Sequence, residues 1–577
     1  SDFVSKDHSF YSGEQIEKSG ILINDSPEEV TVRVNWTLKD SQGKPLLSKK
    51  GDLTVPQGET GFLPITFQTP EIQGKTEYVL EASWVDPAGK SHQAEPLSFR
   101  VFPREKFSWP GKKVGLIEAG LATKKILQDL KIPVVTLEEG SKVNASVLNS
   151  LQLLIIGRQS YPLATKLVEA EAIMEAVNNG LNILILEQLN RHILGLKLEN
   201  TNSREVFIRA KDSPLFAGLD SQDLAWWRGE SHLLPSYPSF DPESLWWYAS
   251  YSYQGQMNAW RQRRAWHWSN KGTVATFSYE KPQQGNFRVL TEAGFDLLYT
   301  PLIELSLGQG RILLSQLDLT DHYGKDPVAT LLFQRILKEY SSPKKETKTP
   351  VGTISQESAA LLEGFGFQAR LGISGRVVFL SPRDLEKLTS QQAIVLKDFL
   401  NKGRYLLTSC TSQEQAGNLP VEVKFEKREV FNPDLPDHPV FSGVGRSDVF
   451  LRQFHQFQAI TGGKNGKISL CASGLAAVCQ AGKGLVVILQ VPPGQGKSVP
   501  DGWSRPKVRR LYATVLSNLG AISLVKPDWL AIGGWGQIEE WLPGYAERVA
   551  KKAPKVKESH FYPEEGLDWD PDAHVAF

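Results

Sequence analysis

Cysteine is scarce in this chain, with three residues (Cys410, Cys471 and Cys479) among 577. Three is too few for a disulfide framework, so each domain has to be held by its own apolar core. Cys471 and Cys479 flank a turn and could pair, but buried free thiols are the expectation. An excess of one charge is also missing. Lys plus Arg number 65 and Asp plus Glu 64, so no global field draws the chain to nucleic acid or to an anionic membrane. No apolar run approaches the roughly 20 residues of a membrane-spanning helix. There is no HExxH and no CxxC pair, and no metal site is expected. Gly308-Gln309-Gly310 is too short for a dinucleotide fingerprint and precedes its strand. Val491 stands where a Walker loop ending in Gly496-Lys497-Ser498 requires its first Gly. No cofactor is expected.

What is present is repetition. Asn178-Asn179-Gly180 followed by Leu181 to Leu186 is answered by Asn401-Lys402-Gly403 and Arg404 to Leu407. Pro214-Leu215-Phe216-Ala217-Gly218-Leu219 is answered by Pro439-Val440-Phe441-Ser442-Gly443-Val444. Gly308-Gln309-Gly310, Arg311 to Leu314 and Gln316 are answered by Gly482-Lys483-Gly484, Leu485 to Leu489 and Gln490. Each series closes on a helical stretch, Pro327 to Tyr340 and Pro506 to Leu519. Four collinear matches indicate two copies of one α/β domain. At roughly 150 residues per domain, the length suggests about three or four domains.

Residues 1–103 follow a different pattern. Val30 to Leu38, Gly61 to Phe67, Tyr78 to Trp84 and Leu97 to Phe102 alternate faces, and Asp40-Ser41-Gln42-Gly43, Pro56-Gln57-Gly58 and Asp86-Pro87-Ala88-Gly89 punctuate them. Short alternating strands of this kind predict an immunoglobulin-like β-sandwich, with Trp36 and Trp84 filling its core. Residues 112–340 and 351–523 predict two α/β doubly wound domains of flavodoxin type, with parallel sheets. Ser341 to Pro350 is a solvated linker, and 524–577 is a tail with one helical stretch, Gln537 to Glu547.

In sheets of this class ligands sit at the carboxyl ends of the strands. There the chain carries Glu187-Gln188 in copy one and Ser409-Cys410-Thr411 in copy two, both without the glycines that a nucleophile elbow uses. Cys410 is the one arguable nucleophile, with His455 a conceivable base; a buried structural thiol is the preferred reading. The recurrence of Gln316 and Gln490 in register suggests a shared structural hydrogen bond.

A family resemblance joins these features. Asp7-His8-Ser9-Phe10-Tyr11-Ser12-Gly13-Glu14-Gln15-Ile16-Glu17-Lys18, with Ile21 to Ser26, resembles the β-sandwich that follows the catalytic barrel in large bacterial glycoside hydrolases. The β-galactosidase-like members of family 2 are the nearest in style. Gly310 to Leu319 resembles the last strand of their class I glutamine-amidotransferase-like domains, and Glu565-Gly566-Leu567-Asp568-Trp569-Asp570-Pro571 is similar to their carboxyl terminus. In that family the catalytic glutamates lie on a (β/α)₈ barrel of about 250 residues. This chain has no such stretch, so no catalytic residue is carried over. Glu187 and Gln188 stand where an amidotransferase-like copy one would need its Cys.

Between residues 226 and 268, copy one carries Trp226, Trp227, Trp246, Trp247, Trp260, Trp266 and Trp268, seven of the chain's 15 Trp, interleaved with Arg228, Arg261 and Arg264. Flat aromatic faces beside planar donors suit sugar rings, and the same residues suit core or interface packing. These ten residues are the candidates for glycan or interface contact.

The expectation is therefore a non-catalytic carboxyl-terminal portion of a glycoside hydrolase, lacking activity alone. Its partner would be a catalytic barrel in a missing segment or a separate chain. A homo-oligomer or a bound glycan would be compatible; nucleic acid and a membrane span would not. The start at Ser1, directly before the family-like sandwich, favours this reading. The alternative is a stand-alone carbohydrate-binding or scaffolding protein, and the outsider is a Cys410-dependent amidohydrolase. An extracellular or periplasmic location is implied by the resemblance alone.

Overall fold

The computed structural model describes residues 6–109, 113–138, 143–189 (bar 144 and 169), 192–234 (bar 195 and 200), 270–342 (bar 283–285 and 295–296), 347–491 (bar 411, 431–432, 435–437, 450–454 and 464–467) and 504–524. The fold is strand-rich and mixed, built on several separate sheets. None of the described helices is long and apolar enough to cross a membrane.

The first unit stacks two sheets. One joins Ser9–Tyr11, Leu97–Phe102, Thr76–Val85, Val30–Asp40 and Pro45–Val55 in that spatial order; the other pairs Gln15–Ile23 with Thr60–Gln68. Strict alternation puts Val32, Val34, Trp36 and Leu38 inward, where the last two meet Ile16, Ile65, Phe67 and Phe99 from both sheets. Trp84 departs from the expected core position. It is half-buried at the end of the unit and stacks on His92 of the neighbouring strand Ser91–Gln93, with centroids 5.2 Å apart.

The two α/β copies have sheets of identical order. Copy one uses Val114–Ile117, Val134–Thr136, Leu153–Ile156, Asn182–Ile185, Phe287–Val289, Leu302–Leu307 and Gly310–Ser315; copy two uses Val351–Thr353, Ala369–Leu371, Val377–Leu380, Tyr405–Thr408, Ile468–Cys471, Ala476–Ala481 and Gly484–Leu489. Numbered along the chain, both are ordered 2-1-3-4-7-6-5. The expectation of wholly parallel sheets is corrected here. Strand 6 runs antiparallel to both its neighbours, 7 and 5, because strands 6 and 7 are joined by a tight hairpin at Gly308-Gln309 or Gly482-Lys483, too short for a helical crossover. Strand 3 of each copy is apolar throughout because both faces are covered. Leu153 and Ile155 enter one core and Leu154 and Ile156 the other, and Phe379 and Val378 divide in the same way.

The repeated landmarks interlock. The hairpin glycines Gly308 and Gly482 take φ of +52° and +59°, and each packs on the end of the preceding helix, at Asn178 and Asn401. A Cβ on Gly310 or Gly484 would meet backbone carbonyls, those of Leu181 and Val177 or of Arg404 and Leu400. The Asn and Gly signatures therefore recur together because they are two sides of one contact.

The Pro-x-Phe landmarks also share a role, since each faces the preceding domain. In copy one Asp223 Oδ2 accepts from Asp220 N (2.8 Å), and its carboxylate receives sandwich residues Arg100 (2.9 Å) and Lys75 (2.5 Å). In copy two the equivalent Asp448 accepts from Gly445 N (2.7 Å) and pairs with Arg510 (2.6 Å), which donates onward to the Pro282 carbonyl of copy one (2.6 Å). Arg288 of copy one also donates to Ser442. The same turn aspartate ties each copy to its predecessor.

Candidate functional site

The carboxyl ends of copy one's strands converge on a buried polar cluster. Gly157 and Arg158 follow strand 3, Glu187 and Gln188 follow strand 4, and Asp318 to His322 follow strand 7. Glu187 is fully buried; its carboxylate accepts from Thr320 N (3.0 Å) and Thr320 Oγ1 (3.3 Å). Burial and the nearby Asp318 push its carboxyl up to about 7. Arg158 pairs with Asp321 (2.6 Å), which also accepts from His232 N (2.6 Å) and bonds the His232 ring (2.7 Å). Although burial opposes ionisation, these partners hold the Asp321 carboxyl down at about 2.

His322 lies against Asp318 (3.3 Å), bonds the Arg228 carbonyl through Nδ1 (2.7 Å) and meets the Trp227 ring edge-on at 5.9 Å. Burial lowers the proton affinity of His322, but the Asp318 carboxylate outweighs it and the net shift is upward. Asp318 Oδ1 and Arg158 Nη2 are buried without a hydrogen-bond partner among the described residues. The cluster can hold charge and protons, but its acids lie under the surface. The sequence pattern passed over Arg158, Asp318, Asp321 and His322. The signal was the Asp-Leu-Thr-Asp-His run directly beyond strand 7.

Two neighbouring positions have structural roles. Glu118, after strand 1, accepts from Thr123 N (2.7 Å) and Lys124 N (2.9 Å) at the start of helix Ala122–Asp129. The place where such a helix would receive a ligand's anion is thus occupied by the chain's own carboxylate. Gln188 ties three strand ends together through the Gly157 and Leu186 carbonyls (2.8 Å each), Tyr161 N (2.9 Å) and Gln316 Oε1 (3.2 Å). Gln316 goes on to Tyr279 OH, whereas Gln490 donates to the Gln458 carbonyl. The position recurs without the expected shared bond, because the strands flanking it differ.

The ladder registers give the copy-two equivalents directly. Ile185 pairs Leu314 and Thr408 pairs Ile488, so Glu187 matches Cys410 and Arg158 matches Pro382. Cys410 is buried, its Sγ donates to the Ser412 carbonyl (3.4 Å), and burial pushes its thiol up to about 11. His455 opens the strand His455–Gly462, and its side chain lies outside the described residues. Cys471 and Cys479 sit on paired strands as buried free thiols. No group of three or more His, Cys, Asp or Glu that could hold a metal occurs among the described residues.

Of the aromatic-rich stretch, Trp226, Trp227 and Arg228 are described. Trp246, Trp247, Trp260, Arg261, Arg264, Trp266 and Trp268 lie outside the described residues. Trp227 is corrected from surface contact to core: it is fully buried and donates Nε1 to the Asp223 carbonyl (3.1 Å). Trp226 is half-buried at φ +48°, with Lys6 of the first unit 4.4 Å from its ring centroid. Arg228 grips Glu14 of the sandwich with two bonds, of 2.6 and 2.9 Å. Both contacts are made between domains of this chain.

No protein-family model matches the chain, and no curated protein matches it. Solved structures resemble parts of it. They include a Pseudomonas fluorescens alkylpurine DNA glycosylase, AlkC (15% identity, 16% of this chain and 28% of that chain, TM-score 0.13). Bacteroides uniformis beta-glucuronidase 2 is 14% identical over 32% of this chain and 22% of that one (TM-score 0.15). A Bacteroides uniformis beta-glucuronidase is 8% identical over 32% of each (TM-score 0.16). The chain spans less than a third of the length of these proteins. Glycoside hydrolases are thus among its weak structural neighbours, the likeness is local, and no activity is carried across it.

Proposed function

We propose that this chain is the non-catalytic, carboxyl-terminal portion of a β-galactosidase-like glycoside hydrolase, or its separate-chain equivalent. In this reading an immunoglobulin-like sandwich (1–103) and two amidotransferase-like domains (112–340 and 351–523) support a catalytic barrel supplied elsewhere, outside the cytoplasm. The observation that carries the absence of independent chemistry is the matched pair Glu187 and Cys410. At the one strand end where such sheets place a nucleophile, copy one has a sealed carboxyl held by Thr320, and copy two has a thiol whose proton is retained far above neutral pH. A working cysteine nucleophile needs the opposite, a lowered pKa and access. Docking of copy one on the sandwich through ion pairs to Asp223, and of copy two on copy one through hydrogen bonds of Arg510 and Arg288, suits a rigid support.

The test uses the full chain, purified, with aryl glycosides and glutamine as substrates, alone and after mixing with a β-galactosidase-like barrel from the same source. The expected result is no turnover alone, with co-migration and a raised melting temperature for the barrel in the mixture. Turnover by the chain alone that disappears in Glu187→Gln or Cys410→Ala would overturn the reading, as would failure of the barrel to associate.

A further inference from the structure

A cavity of about 380 Å³ opens where the sandwich meets copy one, within the size range of small-molecule sites (about 300–1,000 Å³). Its wall carries three cations: Lys75 of the sandwich, Arg104 just beyond it, and Arg335 of the copy-one helix Pro327–Ser341. Against them stands a single carboxylate, Glu105. We infer that this cavity binds a small oxyanion, a carboxylate, sulfate or phosphate group, through the guanidinium groups of Arg104 and Arg335.

The three cations differ in what already answers them. Lys75 is satisfied, because its Nζ donates to Asp223 (2.5 Å), Asp220 (3.2 Å) and the Gly218 carbonyl (3.3 Å). Arg335 is half-buried and has no carboxylate partner among the described residues. Its Nη1 donates to the Leu215 and Ala217 carbonyls, at 3.0 and 2.8 Å. Both protons of Nη1 are thereby used, and the N–H groups left on Nε and Nη2 form the side-on fork that matches two anion oxygens. Neither of those atoms is sealed from solvent. Arg104 is exposed and likewise has no carboxylate partner among the described residues. It lies 4.2 Å from the Tyr11 ring centroid, a contact that uses none of its N–H donors. Glu105 acts on Arg335 from a distance: burial pulls that guanidinium below its usual range, and Glu105 offsets the shift only in part. With Lys75 neutralised by Asp223, two guanidinium groups face one carboxylate, and the wall keeps a positive charge in excess. Water in the cavity can accept their hydrogen bonds but cannot cancel that charge. An oxyanion does both, through charge-assisted bonds.

The site is built from the sandwich and copy one alone, so it stands or falls apart from the scaffold reading. The experiment is calorimetry on the full chain at low ionic strength with sodium acetate, sulfate and phosphate, and with glucose as a neutral control. Sodium chloride at matched ionic strength separates binding from screening. At least one oxyanion is expected to bind saturably, and glucose and chloride are not. Arg104→Gln should weaken that binding about tenfold, the loss of one charge-assisted hydrogen bond, and leave the melting temperature nearly unchanged because the side chain is exposed. Glu105→Gln, at another exposed position, removes the competing carboxylate and should tighten binding, which a merely structural role for Glu105 would not do. Absence of oxyanion binding, an equal response to chloride or glucose, or an affinity unchanged in either variant would overturn the proposal.

Discussion

Copy one buries an ionic triad where copy two has hydrocarbon. Glu304 and Arg311 lie on adjacent strands 6 and 7, and Tyr340 on the closing helix; all three are at most 6% exposed. Arg311 sits 4.3 Å from the Tyr340 ring centroid and holds Glu304 and Glu339 (3.2 Å each). The ladders match Glu304 to Val478 and Arg311 to Leu485, and the aligned helices match Tyr340 to Leu519. Yet both sheets keep the same order and hairpin. The difference teaches that the shared fold is specified by the Asn/Gly contacts and the two-sided apolar strands, while the charges are local additions. Burial, and then the Glu304 carboxylate, push the Tyr340 phenol well above its ordinary range, so it stays a donor to Glu304.

The largest effect is expected where a charge ties two copies together. Asp448→Ala leaves Arg510, 1% exposed, facing only the Pro282 carbonyl among the described residues. A destabilisation toward about 5 kcal/mol is expected by denaturant unfolding. Asp448→Asn, which keeps an acceptor for Gly445 N, should recover part of it. In copy one, Asp223→Ala should cost less, because Lys75 is more exposed and Asp220 remains beside Arg100. An equal cost at the two aspartates would break the parallel between the docking turns.

The triad comes next. Glu304→Val alone should cost about 3 kcal/mol, since Arg311 retains Glu339. The triple change Glu304→Val, Arg311→Leu, Tyr340→Leu installs copy two's residues and should be near neutral, as isosteric replacement of buried ions often is. A triple variant as unstable as the single one would show that the triad does specify copy one's fold.

How much of this was legible follows from which interactions leave a pattern in one sequence. The repeat was readable because glycines at positive φ and apolar strands leave fixed signatures, and Gly308, Gly310, Gly482 and Gly484 carry them. The edge strand Phe287–Val289 was not, because at three residues it is too short to show a period. The polar cluster was half legible. Glu187 was picked out by its place after a buried strand, but Arg158, and Asp318 with His322, come from two other segments that meet only in the folded sheet. Trp84 read as core because its phase is right; in the fold it stacks on His92 of the neighbouring strand instead, and phase alone carries no information about that.

A smaller effect, with a sign fixed by pH, distinguishes Glu187 from Cys410. The folded Glu187 carboxyl, at about 7, lies above its ordinary value of 4.5. Below 4.5 both folded and unfolded chains hold the proton, so there is no penalty. Between 4.5 and 7 the unfolded chain releases it first, and the native state loses stability as pH rises. Glu187→Gln should therefore raise the melting temperature relative to the parent more at pH 8 than at pH 5. Asp321 works in the opposite sense: its contribution is present above its ordinary 3.8 and is lost as pH falls toward about 2. A melting-temperature difference for Glu187→Gln that is flat between pH 5 and 8 would show that Glu187 is ionised in the fold.

The smallest effect belongs to Cys410 itself. Its thiol fills space beneath the sheet beside Leu380 and Leu406 and gives one weak bond to Ser412. Cys410→Ala removes a single sulfur atom from that packing, which should cost about 1 kcal/mol. With the thiol pushed up to about 11, alkylation by iodoacetamide at pH 8 should be slow in the folded chain and become fast only on unfolding. A nucleophile would behave otherwise: rapid labelling in the native state, with a pH profile centred well below that of a free thiol, would make copy two a reactive site. The functional contrast between the copies would then be a sealed acid in one and a working thiol in the other.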